Sequence, residues 1–222
     1  AVFCTEAGLV AQHAILQRNG EQEFKLFASG LPWAQFQAAR SGLDVTVTQV
    51  PGFLFQIAGP TSLATLEAAT GESLRDIAFL KFRHANVAGI EVEVARIGMS
   101  GNLAYELRGP LELGPQVYEA VMAAGAPFGI QRLGWRTYFV NHIEGGFPQM
   151  GWTFFTGGLI DPAFSAALPP HQKPRITGSV DPADLRARLR TPHEIGWERT
   201  VKFDHDFTGR AAIEAEAANP RR

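Results

Sequence analysis

The sequence predicts an α+β fold in which helices cover one face of a mainly antiparallel sheet. From residue 53 to residue 125, strand-like and helix-like segments follow in the order strand, helix, strand, strand, strand, helix. The strand-like segments alternate apolar and polar side chains, and the helix-like segments repeat apolar side chains every three or four positions. Consecutive strands joined by tight turns pair antiparallel, and the helices bury their apolar stripes against one face. The other face of the sheet carries no helices and is expected to contact something else.

The N-terminal segments predict a hairpin, a helix and a strand. Two short apolar runs flank Asn19-Gly20, a dipeptide that favours tight hairpin turns. Pro32 stands where a helix can begin, and Gly42 stops the helical spacing that follows it. The run DVTVTQV, residues 44–50, alternates with period two and predicts a half-buried strand.

The central segments predict a strand that runs into a helix and then three further strands. FLFQIAG precedes a helix for which Thr61 or Ser62 is the expected N-cap and Gly71 the C-terminal stop. Two strands meet near residues 88–89, and LAYELRG pairs back after a turn at residues 98–102.

The segments after residue 110 predict two more helices. Pro115 begins GPQVYEAVMAAG, a short strand is expected near Ile130, and GWRTYFVNHIEGG forms a further helix. Residues 156–192 are rich in proline and predict a long irregular connector.

Composition excludes several classes of function. The formal net charge is −2 and no stretch clusters five or six basic residues, so nucleic acid is not an expected partner. No apolar run approaches the roughly 18 residues of a membrane span. Cys4 is the only cysteine, which rules out an internal disulfide framework and favours a reducing cytoplasm.

Familiar catalytic motifs are absent from the sequence. GxGxxG after a strand, GxxxxGK[ST], HExxH and GxSxG do not occur. Asp-His-Asp at 204–206 has metal-binding side chains, but three adjacent residues do not converge on one ion, so a polar turn before a helix is the plainer interpretation. No metal is predicted.

Charged residues on the strand after the 98–102 turn need an explanation. In RIGMSGNLAYELRGP, Leu103, Tyr105 and Leu107 share one face, and Glu106 and Arg108 lie on the other. On pattern alone, Glu106 faces the less covered side and forms a surface ion pair with Arg96 or Arg108, worth about 0 to 1 kcal/mol.

Two residues of the GWRTYFVNHIEGG helix also have plain interpretations on pattern alone. Tyr138 is then a core or rim residue, and His142 is a surface or boundary histidine.

Four segments together resemble one family. FQIAGP, VAGIEVEVARIGMSGNLAYELRGP, GWRTYFVNHIEGG and EIGWERTVKFDHDFTGR resemble the glycine-cleavage T-protein (aminomethyltransferase) superfamily, in family order. The second segment and the tyrosine-bearing helix are most similar to the tetrahydrofolate-dependent aromatic O-demethylases that act on vanillate or syringate.

That resemblance implies a fold and a domain organisation. A ferredoxin-like antiparallel sheet with helices on one face is expected at 52–150 as a folate-binding domain, interleaved with a second α+β domain formed by 1–51 and 151–222. Family members have a further N-terminal segment and a C-terminal barrel, so the chain is expected to be an internal fragment.

The resemblance also implies a cofactor, a substrate and site residues. Tetrahydrofolate is the expected cofactor, and a methoxylated aromatic acid is the expected small-molecule substrate. Glu106 takes the place of the family's pterin-binding glutamate, and Gln56 and Phe147 match cofactor-contact positions. Tyr138 matches the tyrosine implicated in catalysis, and Ser29 stands where relatives have an arginine. Arg108 is left as an ordinary charge.

Other one-carbon chemistries stay open at this point. An amine or sulfonium donor is one alternative, although Gln12 and His13 align where T-proteins have an acidic residue in the early hairpin. A non-catalytic folate-binding accessory protein is another, but the sequence around Cys4 does not match the cysteine motif of those relatives.

Overall fold

The structure is a computed structural model that describes residues 1–27, 33–170, 173, 179, 181 and 183–220. Its contacts divide the chain into two compact units, one formed by Ala1–Val47 with Pro148–Arg222 and the other by Thr48–Phe147. Within the described ranges, every helix falls short of the length and apolar character that a membrane span requires.

The strands are short and pair antiparallel with their neighbours. In chain order they are β1 (Val2–Cys4), β2 (Val10–His13), β3 (Ile15–Arg18), β4 (Phe24–Phe27), β5 (Gly52–Ala58), β6 (Phe82–Val87), β7 (Ile90–Ala95) and β8 (Ala104–Pro110).

The α-helices are short, from 6 to 12 residues each. In chain order they are α1 (Trp33–Arg40), α2 (Ser62–Thr70), α3 (Gly114–Gly125), α4 (Trp135–Glu144), α5 (Pro162–Ala167) and α6 (Arg210–Ala218).

The first unit is built on two hairpins. β1 pairs with β2 and β3 pairs with β4, which confirms the predicted hairpin around Asn19-Gly20. Its turn is longer than the tight turn that this dipeptide favours: the loop spans residues 19–23, and the amides of Asn19 and Gly20 both donate to the carbonyl of Glu23. An apolar cluster of Ala11, Trp33, Phe164 and Leu168 packs β2, α1 and α5 together. The predicted helix start at Pro32 lies outside the described residues. Within them, α1 begins at Trp33.

Three sequence-based elements differ from the structure. The predicted strand over 44–50 is wrong: those residues form no strand and are exposed, and Val50 is 82% exposed. An alternating pattern does not by itself make a strand, because the backbone N–H and C=O groups need a neighbouring strand to hydrogen-bond. Within the described ranges, no strand pairs with residues 44–50.

The expected strand near Ile130 is also wrong. A short 3₁₀ helix at Ala126–Phe128 ends in Gly129, whose φ of 73° is left-handed, and the chain turns back so that the Ile130 amide donates to the carbonyl of Gly125. Ile130 then packs against the main core as a partly buried residue.

The connector predicted over 156–192 is only partly irregular. It contains a short 3₁₀ helix at Gly157–Ile160 and the helix α5. The Asp161 carboxylate accepts hydrogen bonds from the amides of Ala163 and Phe164, so it caps α5, and Pro162 fits the first helical position.

The second unit is a four-stranded antiparallel sheet in the order β5-β8-β7-β6. One face packs on α2 and α3 through a single apolar cluster, which confirms the predicted α+β arrangement. The cluster includes Phe53, Ile57, Leu66, Val92, Val94, Tyr105, Leu107, Val117 and Val121. The helix bounds also follow the prediction: α2 starts at Ser62 after the N-cap Thr61, and Gly71, with a left-handed φ of 72°, caps its C-terminus after Thr70.

The opposite face of this sheet presents polar side chains from adjacent strands. Gln56 on β5 lies directly opposite Glu106 on β8, and Glu93 on β7 lies directly opposite Arg108 on β8. Successive side chains point to opposite faces, so these four residues share the face that α2 and α3 do not cover.

Candidate functional site

Three charged side chains on the polar face of the sheet are buried. Glu106 is 3% exposed, Arg108 is 5% exposed and Glu93 is 6% exposed. Two carboxylates and one guanidinium give this cluster a formal charge of −1. Removing charges from water costs several kcal/mol per ion unless hydrogen bonds compensate, so the geometry of their contacts decides whether the arrangement is stable.

Arg108 supplies that compensation to both carboxylates. Its Nη1 donates to Glu93 Oε1 at 3.0 Å, and its Nε donates to Glu106 Oε2 at 3.1 Å. Its Nη2 donates to the same Glu106 oxygen, which makes the contact a forked one. Charge-assisted hydrogen bonds of this kind are stronger and more directional than neutral ones. The guanidinium therefore fixes the orientation of the Glu106 carboxylate.

This cluster confirms one pattern-based expectation and corrects another. Glu106 does pair with Arg108, but the pair is buried and not a weak surface contact. The interpretation of Arg108 as an ordinary charge is wrong for the same reason. Alternation assigns a residue to a face of the sheet, but it does not reveal how much of that face is covered.

Gln56 and Glu106 form a facing pair with unused hydrogen-bonding capacity. Arg108 donates to Oε2 of Glu106, and Oε1 receives no hydrogen bond from any residue in the described ranges. The Gln56 amide, which is half-buried, likewise forms no side-chain hydrogen bond within those ranges. An amide offers two donors and an acceptor, and a carboxylate oxygen offers two lone pairs. The pair can therefore bind a polar ligand edge.

The turn between β7 and β8 approaches this pair closely. A side chain on Gly98 would clash with the methyl group of Ala104, and its Cβ would lie 3.9 Å from Gln56 Nε2. Gly101 has a left-handed φ of 72°, which most residues avoid. The two glycines fold the turn tightly over the end of the sheet.

The C-terminal half of α4 packs against the same turn. His142 is 2% exposed, its Nε2 lies 2.9 Å from Met99 Sδ, and a side chain on Gly145 would clash with the Met99 carbonyl. His142 Nδ1 lies 2.7 Å from the carbonyl oxygen of Tyr138, so Nδ1 is the donor because a carbonyl only accepts. His142 is thus a buried connector, and its interpretation as a surface or boundary residue is wrong.

The Tyr138 ring lies between the rings of Trp135 and His142. Its ring is parallel to that of Trp135, with centroids 5.7 Å apart, and the His142 ring centroid is 4.0 Å away on a tilted plane. The Phe147 amide donates to the His142 carbonyl at 2.7 Å, and the Phe147 side chain is half-buried. Tyr138 and Phe147 are therefore both tied to His142.

The predicted site residues all belong to the unit Thr48–Phe147. The structure pairs Gln56 with Glu106 directly, and it links Tyr138 to that pair indirectly, through His142 and the 98–102 turn. Sequence reasoning missed Glu93, although counting outward from the hairpin turn could have paired it with Arg108. Ser29 lies outside the described residues.

Metal-binding potential is low in the part of the chain that the structure describes. No group of three or more His, Cys, Asp or Glu side chains converges there. Asp204, His205 and Asp206 are exposed in a turn before α6, and Asp204 is hydrogen-bonded to His205.

The fold is that of the aminomethyltransferases of glycine cleavage. The chain superposes on aminomethyltransferase T from Bartonella henselae with a TM-score of 0.65 over 98% of this chain and 52% of that one, at 18% identity. The family model of the GCVT N-terminal domain matches residues 1–154. The chain therefore belongs to the GCVT family.

Two curated relatives are similar over nearly the whole chain. Sesamin methylene transferase from Sinomonas sp. is 38% identical over 98% of this chain, and syringate O-demethylase from Sphingobium sp. is 34% identical over 97%. The chain spans about half the length of these relatives, since the matches cover 50% of each.

Proposed function

We propose that the protein containing this chain is a cytoplasmic, tetrahydrofolate-dependent O-demethylase. It removes a methyl group from a methoxylated aromatic acid of the vanillate or syringate kind and gives 5-methyltetrahydrofolate. The observation that supports this most directly is the facing pair of Gln56 and Glu106, which is oriented by Arg108 and keeps unused hydrogen-bonding capacity. Similarity to a syringate O-demethylase over 97% of the chain supports the aromatic substrate.

The facing pair fits the polar edge of a pterin. That edge presents ring N–H and amino donors beside a carbonyl acceptor, so it requires acceptors and a donor in one plane. Glu106 Oε1 supplies an acceptor with an open position, and the Gln56 amide supplies both a donor and an acceptor opposite it. Arg108 holds the carboxylate in place before the ligand arrives, which reduces the entropic cost of binding.

When bound, tetrahydrofolate would supply the amine N5 that accepts the methyl group. Tyr138 would act on the other reaction partner, since its hydroxyl can donate to the ether oxygen as that oxygen becomes a phenolate. The parallel Trp135 ring and the close His142 ring restrict the orientations of the Tyr138 ring. Phe147, half-buried beyond α4, would pack an aromatic ring against the folate.

An amine donor fits the first unit less well. T-proteins place an acidic residue where this chain has Gln12 or His13. Gln12 is 3% exposed and its Oε1 accepts from the Ala34 amide at 2.9 Å, and His13 Nε2 accepts from the Met150 amide at 3.2 Å. Both side chains take part in internal contacts and neither is a carboxylate, which favours an ether donor over an amine.

The test is a donor panel with the full-length protein. Purified protein is incubated anaerobically with tetrahydrofolate and with vanillate, syringate, other methoxybenzoates, dimethylglycine or a methylsulfonium compound, and methylated folate is measured by liquid chromatography. We expect 5-methyltetrahydrofolate and the matching phenol from at least one methoxybenzoate. Product from the amine or sulfonium alone would overturn the aromatic assignment, and folate binding without product from any donor would indicate an accessory protein.

A further inference from the structure

Glu93 is a buried carboxylate to which the proposed function gives no role. It lies on β7, which pairs with β6 on one side and with β8 on the other, and its side chain is 6% exposed. Its Oε1 accepts a hydrogen bond at 3.0 Å from Nη1 of Arg108, the residue directly opposite on β8. Burying a second carboxylate beside an Arg–Glu pair costs free energy, so the presence of Glu93 calls for an explanation.

The pairing of Arg108 with Glu106 has an uncommon geometry. Arg108 Nε and Nη2 both donate to Oε2 of Glu106, whereas a guanidinium and a carboxylate usually pair through both oxygens. To reach the usual arrangement, the guanidinium would have to shift toward Oε1. The hydrogen bond from Nη1 to Glu93 opposes that shift, because the guanidinium is planar and its nitrogens move together.

The oxygen of Glu106 that stays open can be reached from outside. In the described part of the chain, Oε1 accepts no hydrogen bond, and it is not among the enclosed side-chain atoms that lack one. This oxygen therefore reaches the surface, although the side chain as a whole is 3% exposed. Gln56 lies directly opposite on β5. A ligand edge that meets the Gln56 amide can therefore also meet Oε1.

We propose that Glu93 is a positioning residue that keeps Glu106 Oε1 available for the pterin edge of tetrahydrofolate. It holds Arg108 Nη1, so that the guanidinium does not close on both oxygens of Glu106. This inference rests on the proposed function. Glu93 and Arg108 are both buried, so water is a poor substitute for the Glu93 carboxylate. Without that carboxylate, Arg108 would pair with both oxygens of Glu106, and the ligand would have to displace a charge-assisted hydrogen bond.

The test compares Glu93→Leu with Glu93→Gln in the full-length protein. Leucine removes the acceptor, whereas the glutamine amide keeps an oxygen that can accept from Arg108 Nη1. We expect Glu93→Leu to weaken tetrahydrofolate binding about 10- to 100-fold by anaerobic calorimetry, and Glu93→Gln to stay within about 3-fold of the unaltered protein. Glu91→Leu, at an exposed position on the same strand and face, is the matched control and should leave the affinity unchanged.

Two further measurements separate positioning from a general loss of structure. With the best donor of the panel, Glu93→Leu should raise KM for tetrahydrofolate and leave kcat at saturating tetrahydrofolate unchanged, whereas a partly unfolded protein would show a lower kcat. A crystal structure of Glu93→Leu should show Arg108 donating to both oxygens of Glu106. Should Glu93→Leu not fold, Glu93→Met, which is unbranched like glutamate, takes its place.

The outcomes that overturn the proposal are distinguishable from failure of the proposed function. Equal affinities of Glu93→Leu and the unaltered protein would reject the inference and leave the proposed function standing. An equal loss in Glu93→Gln and Glu93→Leu would also reject it, because the charge of Glu93 and not its hydrogen bond would then matter. If the unaltered protein does not bind tetrahydrofolate, the proposed function fails and the inference fails with it.

Discussion

Arg108 directs two of its nitrogen donors at a single oxygen of Glu106 and leaves the other oxygen without a partner in the described residues. A guanidinium and a carboxylate usually pair through both oxygens. Another contact of Arg108 goes to Glu93 on the neighbouring strand. The result is a buried and oriented carboxylate with one oxygen open to a further hydrogen bond.

Glu106→Gln should weaken tetrahydrofolate binding. The substitution keeps the shape of the side chain but removes the charge that strengthens its hydrogen bonds, so we expect an affinity loss of about 10- to 100-fold. Anaerobic calorimetry with the full-length protein measures it. Glu91→Gln, an exposed residue two positions before Glu93, is the matched control. An unchanged affinity for Glu106→Gln would remove Glu106 from the binding site.

Arg108→Met should destabilise the protein strongly. It leaves Glu93 and Glu106 buried on adjacent strands without their shared guanidinium, and such a loss typically costs about 3 to 5 kcal/mol. Urea unfolding measures the change. Arg75→Met is the control, since its ion pair with Glu67 is at the surface, with the Arg75 side chain 74% exposed. A loss below about 1 kcal/mol for Arg108→Met would show that the cluster adds little.

Tyr138→Phe should reduce turnover far more than folate affinity. The ring and its contacts with Trp135 and His142 are kept, and only the hydroxyl is lost. Loss of a general acid typically slows the reaction by about 100- to 10,000-fold. Single-turnover kinetics with the best donor of the panel measures it, and Tyr118→Phe on α3 is the control. A variant with normal turnover and weak folate binding would make Tyr138 a binding residue.

Glu194 should make the first unit sensitive to acid. Although burial opposes the shift, hydrogen bonds from Arg186 at 2.7 Å and the Thr191 amide at 2.9 Å lower the pKa of Glu194 below its ordinary value of 4.5. A carboxylate whose pKa is lowered in the folded state stabilises the fold at pH values above its ordinary pKa. This stability is lost as the pH falls through the lowered pKa.

The corresponding variant is Glu194→Gln. It should lower the free energy of unfolding near neutral pH by about 1 to 2 kcal/mol and flatten its decline below pH 4.5. Chemical unfolding at a series of pH values measures both. An equally steep decline in the variant would assign the acid sensitivity to other carboxylates.

Cys4 should be a poor nucleophile in the folded protein. Burial raises the pKa of its thiol to about 12, so the reactive thiolate is scarce at pH 8. We expect slow labelling by a thiol reagent in buffer and rapid labelling in urea. Rapid labelling of the folded protein would show that β1 opens readily.

The sequence predicted the central unit well because each element there has a local signal. The Thr61-Ser62 start, the Gly71 stop and the residue 88–89 turn are short-range features, and all three lie where expected. The run at 44–50 failed because pairing depends on a partner strand, which local alternation does not supply. Glu106 was placed on the correct face, but its burial depends on the fold around it.

The candidate site was predicted from resemblance more than from pattern. The pairing of Gln56 with Glu106 follows from the β5–β8 register, which residues 50 positions apart in sequence do not reveal. The pattern places His142 at the surface or boundary, because it does not reveal the partners that bury this residue. Tyr138, one turn earlier, and Met99, on a distant turn, both become its neighbours only in the folded chain.

Gln56, Glu106 and Glu93 come from three neighbouring strands, so the polar face exists only when β5, β8 and β7 are aligned. A register slip of one residue would turn every one of these side chains into the apolar layer. A ligand that binds this face would therefore stabilise, by mass action, only chains in which these three strands are correctly aligned. Chains with a shifted register would not bind the ligand and would gain no stability from it.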